Sequence, residues 1–323
     1  MMERALEPSV LAKPRDRDWS LGIAFALMVA FFVIGPFVLY PVFLMKALCF
    51  ALFACAFNLL IGYVGLISFG HALFFGWASY LTAYSAKTWG LSPELAIAIG
   101  TATAAVLGVV AGGLAIRRQG IYFAMITLAL SQMMYFFALQ AKFTGGEDGI
   151  QGVPRGRLFG VFSLANEQTM YIFILVVVLA GFLLIYRIIN SPFGEVLKAI
   201  RENEQRTISL GYDTERYKLV AFVLSATLAG LAGSLNSLVF QLASLTDIHW
   251  TMSGDVVLMT LLGGLGTVFG PVVGAFLVIA MQNYLAQFGQ WVLVIQGAIF
   301  VVCVLLFRRG IVGEIAQLLR VQL

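Results

Sequence analysis

Two short stretches hold most of the chemistry this chain offers. Gly62-Tyr63-Val64-Gly65-Leu66-Ile67-Ser68-Phe69-Gly70-His71 ends a glycine-rich break in a histidine, and Gly263-Gly264-Leu265-Gly266-Thr267-Val268-Phe269-Gly270-Pro271 has the same Gly-x-x-Gly and Phe-Gly spacing. A histidine flanked by apolar sequence could relay a proton or hold a ligand, but a hydrogen bond from His71 to a neighbouring backbone group is the preferred reading. Asp255, after Ser253-Gly254, is expected to cap or charge the first turn of a helix rather than bind an ion. Asn58 and Gln132 are expected to bond across helices. Cys49, Cys55 and Cys303 all fall in apolar runs and read as small buried hydrophobes, not as a disulfide framework. The chain has no Gly-x-x-x-x-Gly-Lys-Ser/Thr, His-Glu-x-x-His, Cys-x-x-Cys or nucleophile elbow. No catalytic, cofactor or metal site is expected.

The elements that must position these residues are apolar. From Val256 to Phe307 there is no Asp, Glu, Lys or Arg, and 47–86, 95–116, 121–141, 169–186 and 219–246 are equally free of charge. About 18 such residues cross the ~30 Å hydrocarbon core of a bilayer as a helix. With 61% hydrophobic and 11% charged residues, no soluble domain could cover so much apolar surface. The net charge of +4 does not signal nucleic acid, because the basic residues sit in short clusters between spans. The expected fold is all-α, a polytopic helical bundle of about nine or ten spans with glycine-rich broken helices. Spans are placed near 19–40, 43–62, 66–86, 93–115, 120–141, 168–187, 218–241, 254–266, 270–286 and 290–307. Residues 1–18 read as a polar tail ahead of a retained first span.

Orientation follows from charge. With the N-terminus inside, fifteen of the 20 Lys and Arg fall on the inner side, among them Arg15, Arg17, Arg117, Arg118, Lys198, Arg201, Arg206, Arg308 and Arg309. Lys46, Lys87, Lys142, Arg155 and Arg157 fall outside. Positive charge stays on the untranslocated side, which places 1–18, the 189–217 loop and the 308–323 tail in the cytoplasm and the 142–167 loop outside. Span 254–266 is short, and a half-helix continuing as buried loop would explain it.

Paired interruptions in two halves of a membrane protein point to a transport pathway. Gly62, Gly65, Ser68, Phe69, Gly70 and His71, with Gly263, Gly264, Gly266, Gly270 and Pro271, are the candidate pathway or gating residues. Helix packing through small residues is the alternative. In the inner loop, Ser191 caps a helix with Pro192 at its first position. Phe193, Val196, Leu197 and Ile200 share one face, with Glu195, Lys198, Arg201 and Glu202 on the others. Gly211 closes the next turn, and Asp213 or Thr214 caps the returning helix. The face could lie on lipid headgroups, but its mixture of acids and bases favours a partner protein's groove. The outer loop, rich in turn-formers around Gly145, Gly146, Gly149 and Gly152, reads as a solvated connector or a docking surface.

Asn58-Leu59-Leu60-Ile61-Gly62-Tyr63-Val64-Gly65 through His71 resembles a block of the branched-chain amino-acid ABC importer permeases, M-type subunit. So do Arg118-Gln119-Gly120-Ile121-Tyr122, Thr144-Gly145-Gly146 with Gly149, and Leu262-Gly263-Gly264 through Gly274. Pro192-Phe193-Gly194, Ala199-Ile200-Arg201-Glu202-Asn203-Glu204, Leu210-Gly211 and Arg216-Tyr217-Lys218 resemble that family's cytoplasmic coupling loop. The resemblance covers 58–313. It departs at Phe307-Arg308-Arg309-Gly310, where relatives have proline after the aromatic, and at Thr207-Ile208-Ser209, where they have alanines. It implies an inner-membrane permease whose pathway lies between it and a homologous second permease. Two ATPase subunits that carry the ATP hydrolysis and an extracytoplasmic solute-binding protein complete the assembly. The 193–204 positions and Gly211 would form the ATPase contact and the outer glycines the binding-protein contact. Branched-chain amino acids are the implied substrate. Urea, short amides or aromatic acids within the same class, and an ion-coupled secondary transporter outside it, are the alternatives.

Overall fold

The computed structural model describes residues 19–289, 291–306 and 310–318. The tail 1–18, with Arg15 and Arg17, and the pair Arg308 and Arg309 lie outside the described residues. A helix occurs at each expected span: α1 (Trp19–Ile34), α2 (Pro41–Ile61), α3 (His71–Thr88), α4 (Pro93–Ala115), α5 (Ile121–Gln140) and α6 (Glu167–Ile189). Two short helices follow, α7 (Pro192–Glu202) and α8 (Glu204–Ser209). The chain then returns as α9 (Thr214–Phe240), α10 (Trp250–Gly263), α11 (Gly270–Leu285), α12 (Trp291–Leu306) and α13 (Gly310–Leu318). Six of these (α2, α4, α5, α6, α9 and α11 with its 3-10 extension to Phe288) are long and apolar enough to cross a membrane, and α1 and α12 contain shorter apolar stretches.

The core is built on α2, α3 and α9, with α4 against α3 and α9, and α6, α10 and α11 against α2. Almost all of α2 and α3 is buried, which is why α3 can carry His71, Ser79, Tyr80, Thr82 and Ser85 among its buried positions. Lipid never meets these polar groups. Close approach comes from small residues: a Cβ at Gly233 would lie 1.9 Å from the Phe75 carbonyl oxygen, so α9 touches α3 backbone to backbone. Cys49 and Cys55 are buried and Cys303 half-buried, all free.

Three boundaries differ from the sequence reading. Pro36 ends α1 early, in a 3-10 turn over Gly35–Phe37. Residues 66–70, placed in the third span, form a turn ahead of α3. The eighth helix starts at Trp250, not 254, and the irregular segment lies before it. There the chain leaves α9 through a left-handed Gln241 and forms β4 (Leu242–Ala243), which pairs antiparallel with β1 (Ile150–Gln151) of the 142–166 loop. Next it makes a 3-10 turn over Leu245–Asp247 held by a Ser244/Asp247 capping box. This turn rests on the middle of α3, where a Cβ at Gly76 would fall 2.3 Å from Ile248 Cγ1. Non-helical backbone at that depth is tolerated because protein buries it. The 142–166 loop is likewise no loose connector. A hairpin of β2 (Arg157–Leu158) and β3 (Phe162–Ser163) stiffens it, and Arg155 donates to the Val239 (2.8 Å) and Leu238 (3.3 Å) carbonyls at the end of α9.

Candidate functional site

The two glycine breaks, about 200 residues apart in sequence, meet in space. Asn58, in the last turn of α2, donates from Nδ2 to the Thr267 carbonyl at 2.9 Å and accepts from the Gly266 amide at 3.1 Å. One side chain thus satisfies a donor and an acceptor of a segment that has left helical geometry. Gly62 has no room for a side chain, since a Cβ there would lie 2.3 Å from Asn58 Oδ1 and 2.8 Å from the Gly266 nitrogen. Within the second break a Cβ at Gly263 would fall 1.9 Å from the Gly270 oxygen, and Pro271 enters the first turn of α11. Gly65, Gly264 and Gly266 have φ of 83°, 124° and 75°, a region that L side chains avoid. Gly310, at the start of α13, covers Gly263 and Gly264. Ser68, Gly70, Gly263, Gly264 and Gly270 are buried and Phe69 is half-buried, so the breaks form a packed junction in this conformation.

The short helix α7 grips this junction. Ser191 caps it, accepting from the Gly194 amide at 3.4 Å, with Pro192 at the first position. Gly194 is needed at the α6–α7 corner because a Cβ would lie 2.2 Å from the Ile189 oxygen. At its other end Arg201 donates from Nη1 to the Gly62 carbonyl. The same guanidinium nitrogen lies 3.3 Å from where a Cβ of Gly266 would stand, and Arg201 Cγ 3.2 Å from that of Gly65. Two glycines, one from each break, therefore make space for one arginine. A charge-assisted bond to a carbonyl is among the stronger ones available.

The apolar face of α7 divides. Leu197 and Ile200 are buried in this chain's own core, so the expectation that the whole face fits a partner is corrected for these two. Phe193, half-buried, stacks on Tyr217 with ring centroids 5.5 Å apart. It lines, with Val196, Ala199, Thr207, Leu210 and Tyr212, an open groove of about 940 Å³. Glu195, Glu202 and Asn203 are exposed, Asn203 also capping α8. Glu204 faces inward. It pairs with the buried Lys218 and accepts from Thr214 (3.1 Å) and Gln119 (2.8 Å), tying α8 to α9 and to the α4–α5 turn. Gly211, with φ of 91°, closes the α8–α9 turn and Asp213 caps α9.

The other sequence candidates sit apart from this junction or serve it as struts. His71 bonds through Nε2 to the Ser225 hydroxyl at 2.9 Å, which in turn donates to the Ala56 carbonyl. Its partner is thus a hydroxyl, not backbone, and the pair links α3, α9 and α2 inside a cage of Phe57, Phe74 and Phe222. Gln132 makes no side-chain bond among the described residues. Asp255 is the sixth residue of α10 and caps nothing; it accepts from Gln282 of α11 at 3.2 Å. At the opposite end, Gly145, Gly146, Gly149 and Gly152 all have positive φ. Gly149 is further pinned, since a Cβ would lie 2.3 Å from the Ala243 oxygen.

A bundle of apolar helices, two broken backbones locked together and a polar helix clamped onto them define a polytopic membrane protein of the transport-permease class. Residues 40–304 match the family described as branched-chain amino acid transport system / permease component, and the chain belongs to that family. It is 26% identical over 277 residues to the high-affinity branched-chain amino acid transport system permease protein LivM of Escherichia coli, which is 79% of this chain and 65% of that protein. It is 30% identical over 182 residues to the probable branched-chain amino acid transport permease protein LivM of Methanocaldococcus jannaschii, 53% of this chain and 51% of that one. The ribose import permease protein RbsC of Bacillus subtilis is 27% identical over 188 residues, 56% of this chain and 58% of its own length. The chain thus spans just under two thirds of the first relatives. No solved structure matches it.

Proposed function

We propose that this chain is a translocation subunit of an ATP-driven importer for branched-chain amino acids. It would form the pathway with a homologous second permease, served by two ATPase subunits and an extracytoplasmic binding protein. The observation that carries this reading is the Arg201 clamp: from a polar helix at the bundle's end, Arg201 bonds the Gly62 carbonyl of one glycine break and packs beside Gly266 of the other. A push on α7 would reach the end of α2 and the turn between α10 and α11 through this side chain, which is the mechanical link an external ATPase requires. The groove beside Phe193 and Val196, with Glu195 at its edge, is the surface offered to that ATPase. Gly62 to Gly70 and Gly263 to Gly270 act as the hinge rather than the pathway lining, because they are packed against each other. The α7 end with both tails faces the cytoplasm, following the charge asymmetry, and the 142–166 loop faces the binding protein.

Reconstitution of the complete complex in liposomes tests this. Uptake of labelled leucine, isoleucine or valine should require both ATP and the binding protein. Uptake of urea, short amides or aromatic acids in their place would move the substrate and keep the class. Uptake driven by a proton or sodium gradient without ATP would overturn the reading.

A further inference from the structure

The hairpin of β2 and β3 leaves three large apolar side chains uncovered. Phe159 and Val161 in its tip are 74% and 73% exposed, and Phe162, the first residue of β3, is 59% exposed. The tip is also strained. Phe159 has φ of 48° and Gly160 of 74°, and the Val161 amide donates to the Leu158 carbonyl at 3.0 Å. Consecutive positive φ values belong to a mirror-image hairpin turn, whose first central position favours Asn, Asp or Gly. A bulky residue there is an outlier, and among the described residues Gln241 is the one other non-glycine with positive φ. Neither the turn nor this chain's core explains a phenylalanine at 159.

The surroundings of the hairpin say what covers it. Gly156, just before β2, abuts the membrane helix α4, since a Cβ there would lie 3.0 Å from Pro93 Cγ. Pro93 opens the 23 apolar-rich residues of α4, which at 1.5 Å each run about 35 Å against a hydrocarbon core of ~30 Å. The start of α4 thus lies at the edge of the bilayer. Phe159 follows Gly156 by three residues, which keeps the tip within about 10 Å of that edge at ~3.3 Å per residue. Trp89, exposed after α3 and edge-on to Tyr84, marks the same level. From Gly149 to Asn166 there is no Asp or Glu, while Arg157 of β2 is exposed. Aromatic and aliphatic side chains beside a free cation, without acids, suit a phospholipid interface, where rings sit among headgroups and arginine meets phosphate. A soluble binding protein covers a docking face only while bound, and would leave these side chains in water between visits. Lipid covers them throughout.

We propose that Phe159-Gly160-Val161-Phe162 is a membrane anchor seated in the headgroup layer of the outer leaflet, its two phenylalanines toward the acyl boundary and Arg157 toward the phosphates. Gly156 against Pro93, and Arg155 on the carbonyls that end α9, connect the anchor to the bundle and fix the height of the 142–166 loop. The exposed Glu147 end of the loop stays in water. The anchor requires only that α4 spans a membrane, and the choice of leaflet rests on the charge-based orientation.

The test uses the full chain, without Cys49, Cys55 and Cys303, in liposomes of phosphatidylcholine and phosphatidylglycerol, with a nitroxide on one introduced cysteine. On Val161→Cys the nitroxide should collide more with dissolved oxygen, which concentrates in lipid, than with a water-soluble nickel chelate. On Glu147→Cys it should do the reverse. Adding Phe159→Asn and Phe162→Ser to Val161→Cys should raise the nickel-to-oxygen collision ratio by about threefold or more, even though asparagine suits the turn better than phenylalanine. Equal nickel access at Val161→Cys and Glu147→Cys would overturn the anchor. So would nickel access at Val161→Cys that falls only when the extracytoplasmic binding protein is added, which marks a protein dock. A ratio unchanged by the two added substitutions would overturn it as well, because the phenylalanines would then not hold the tip in lipid. These readouts involve no transport, so their failure leaves the importer reading untouched.

Discussion

Removing the Asn58 side chain should separate the two glycine breaks. Asn58→Ala deletes the 2.9 Å bond to the Thr267 carbonyl and the 3.1 Å bond from the Gly266 amide in one step. Interhelical hydrogen bonds in membrane bundles contribute about 0.6 kcal/mol on average and up to about 1.7. Two of them therefore amount to roughly 1–3 kcal/mol, and the upper end applies if both backbone groups stay buried without water. Asn58→Leu keeps the volume and should cost the same, which separates bonding from packing. Asn58→Asp keeps an acceptor for Gly266 but sets a carboxylate against the Thr267 carbonyl, and should be the worst of the three. Reversible unfolding of the purified chain in bicelles reads the differences. A change within about 0.5 kcal/mol for both Asn58→Ala and Asn58→Leu would refute the claim that this side chain staples the breaks together.

Two further outcomes follow from the same geometry. Lys218→Met leaves the partly exposed Glu204 carboxylate with only its Thr214 and Gln119 bonds and should destabilise the chain by about 1–3 kcal/mol, whereas Lys218→Met with Glu204→Gln should recover most of it; equal losses in the single and double variants would show that the pair is not the source. Single cysteines at the exposed Glu147 and Gln205, in a background without native cysteines, should label from outside and inside respectively; labelling of both from one side would refute the topology, and the reverse pattern would invert which end meets the ATPase.

Much of this architecture was legible as sequence because each helix has its own local cause. Charge-free runs marked most of the long helices, and Ser191-Pro192 and Asp213 set helix starts by capping. What escaped was tertiary. The glycines at 65 and 266 announced a break, but the reason for them, space for Arg201, lies far from Gly65 along the chain, and Arg201 also bonds the Gly62 carbonyl 139 positions away. Helical spacing put Phe193, Val196, Leu197 and Ile200 on one face without saying that this chain's own core would take two of them. Asp255 resembled a capping residue because Ser253-Gly254 precedes it. The true start of α10 is at Trp250, where His249 caps the helix by accepting from the Thr251 amide after a turn that rests on α3.

The Arg201 clamp is the central claim, and coupling stoichiometry tests it most directly. In the reconstituted complex, leucine taken up per ATP hydrolysed should fall by about tenfold or more in Arg201→Ala, because hydrolysis continues while the breaks no longer follow α7. Arg201→Lys, which keeps charge and reach but loses the guanidinium's planar donor array, should fall between the two. An unchanged ratio of uptake to hydrolysis in Arg201→Ala would contradict the account.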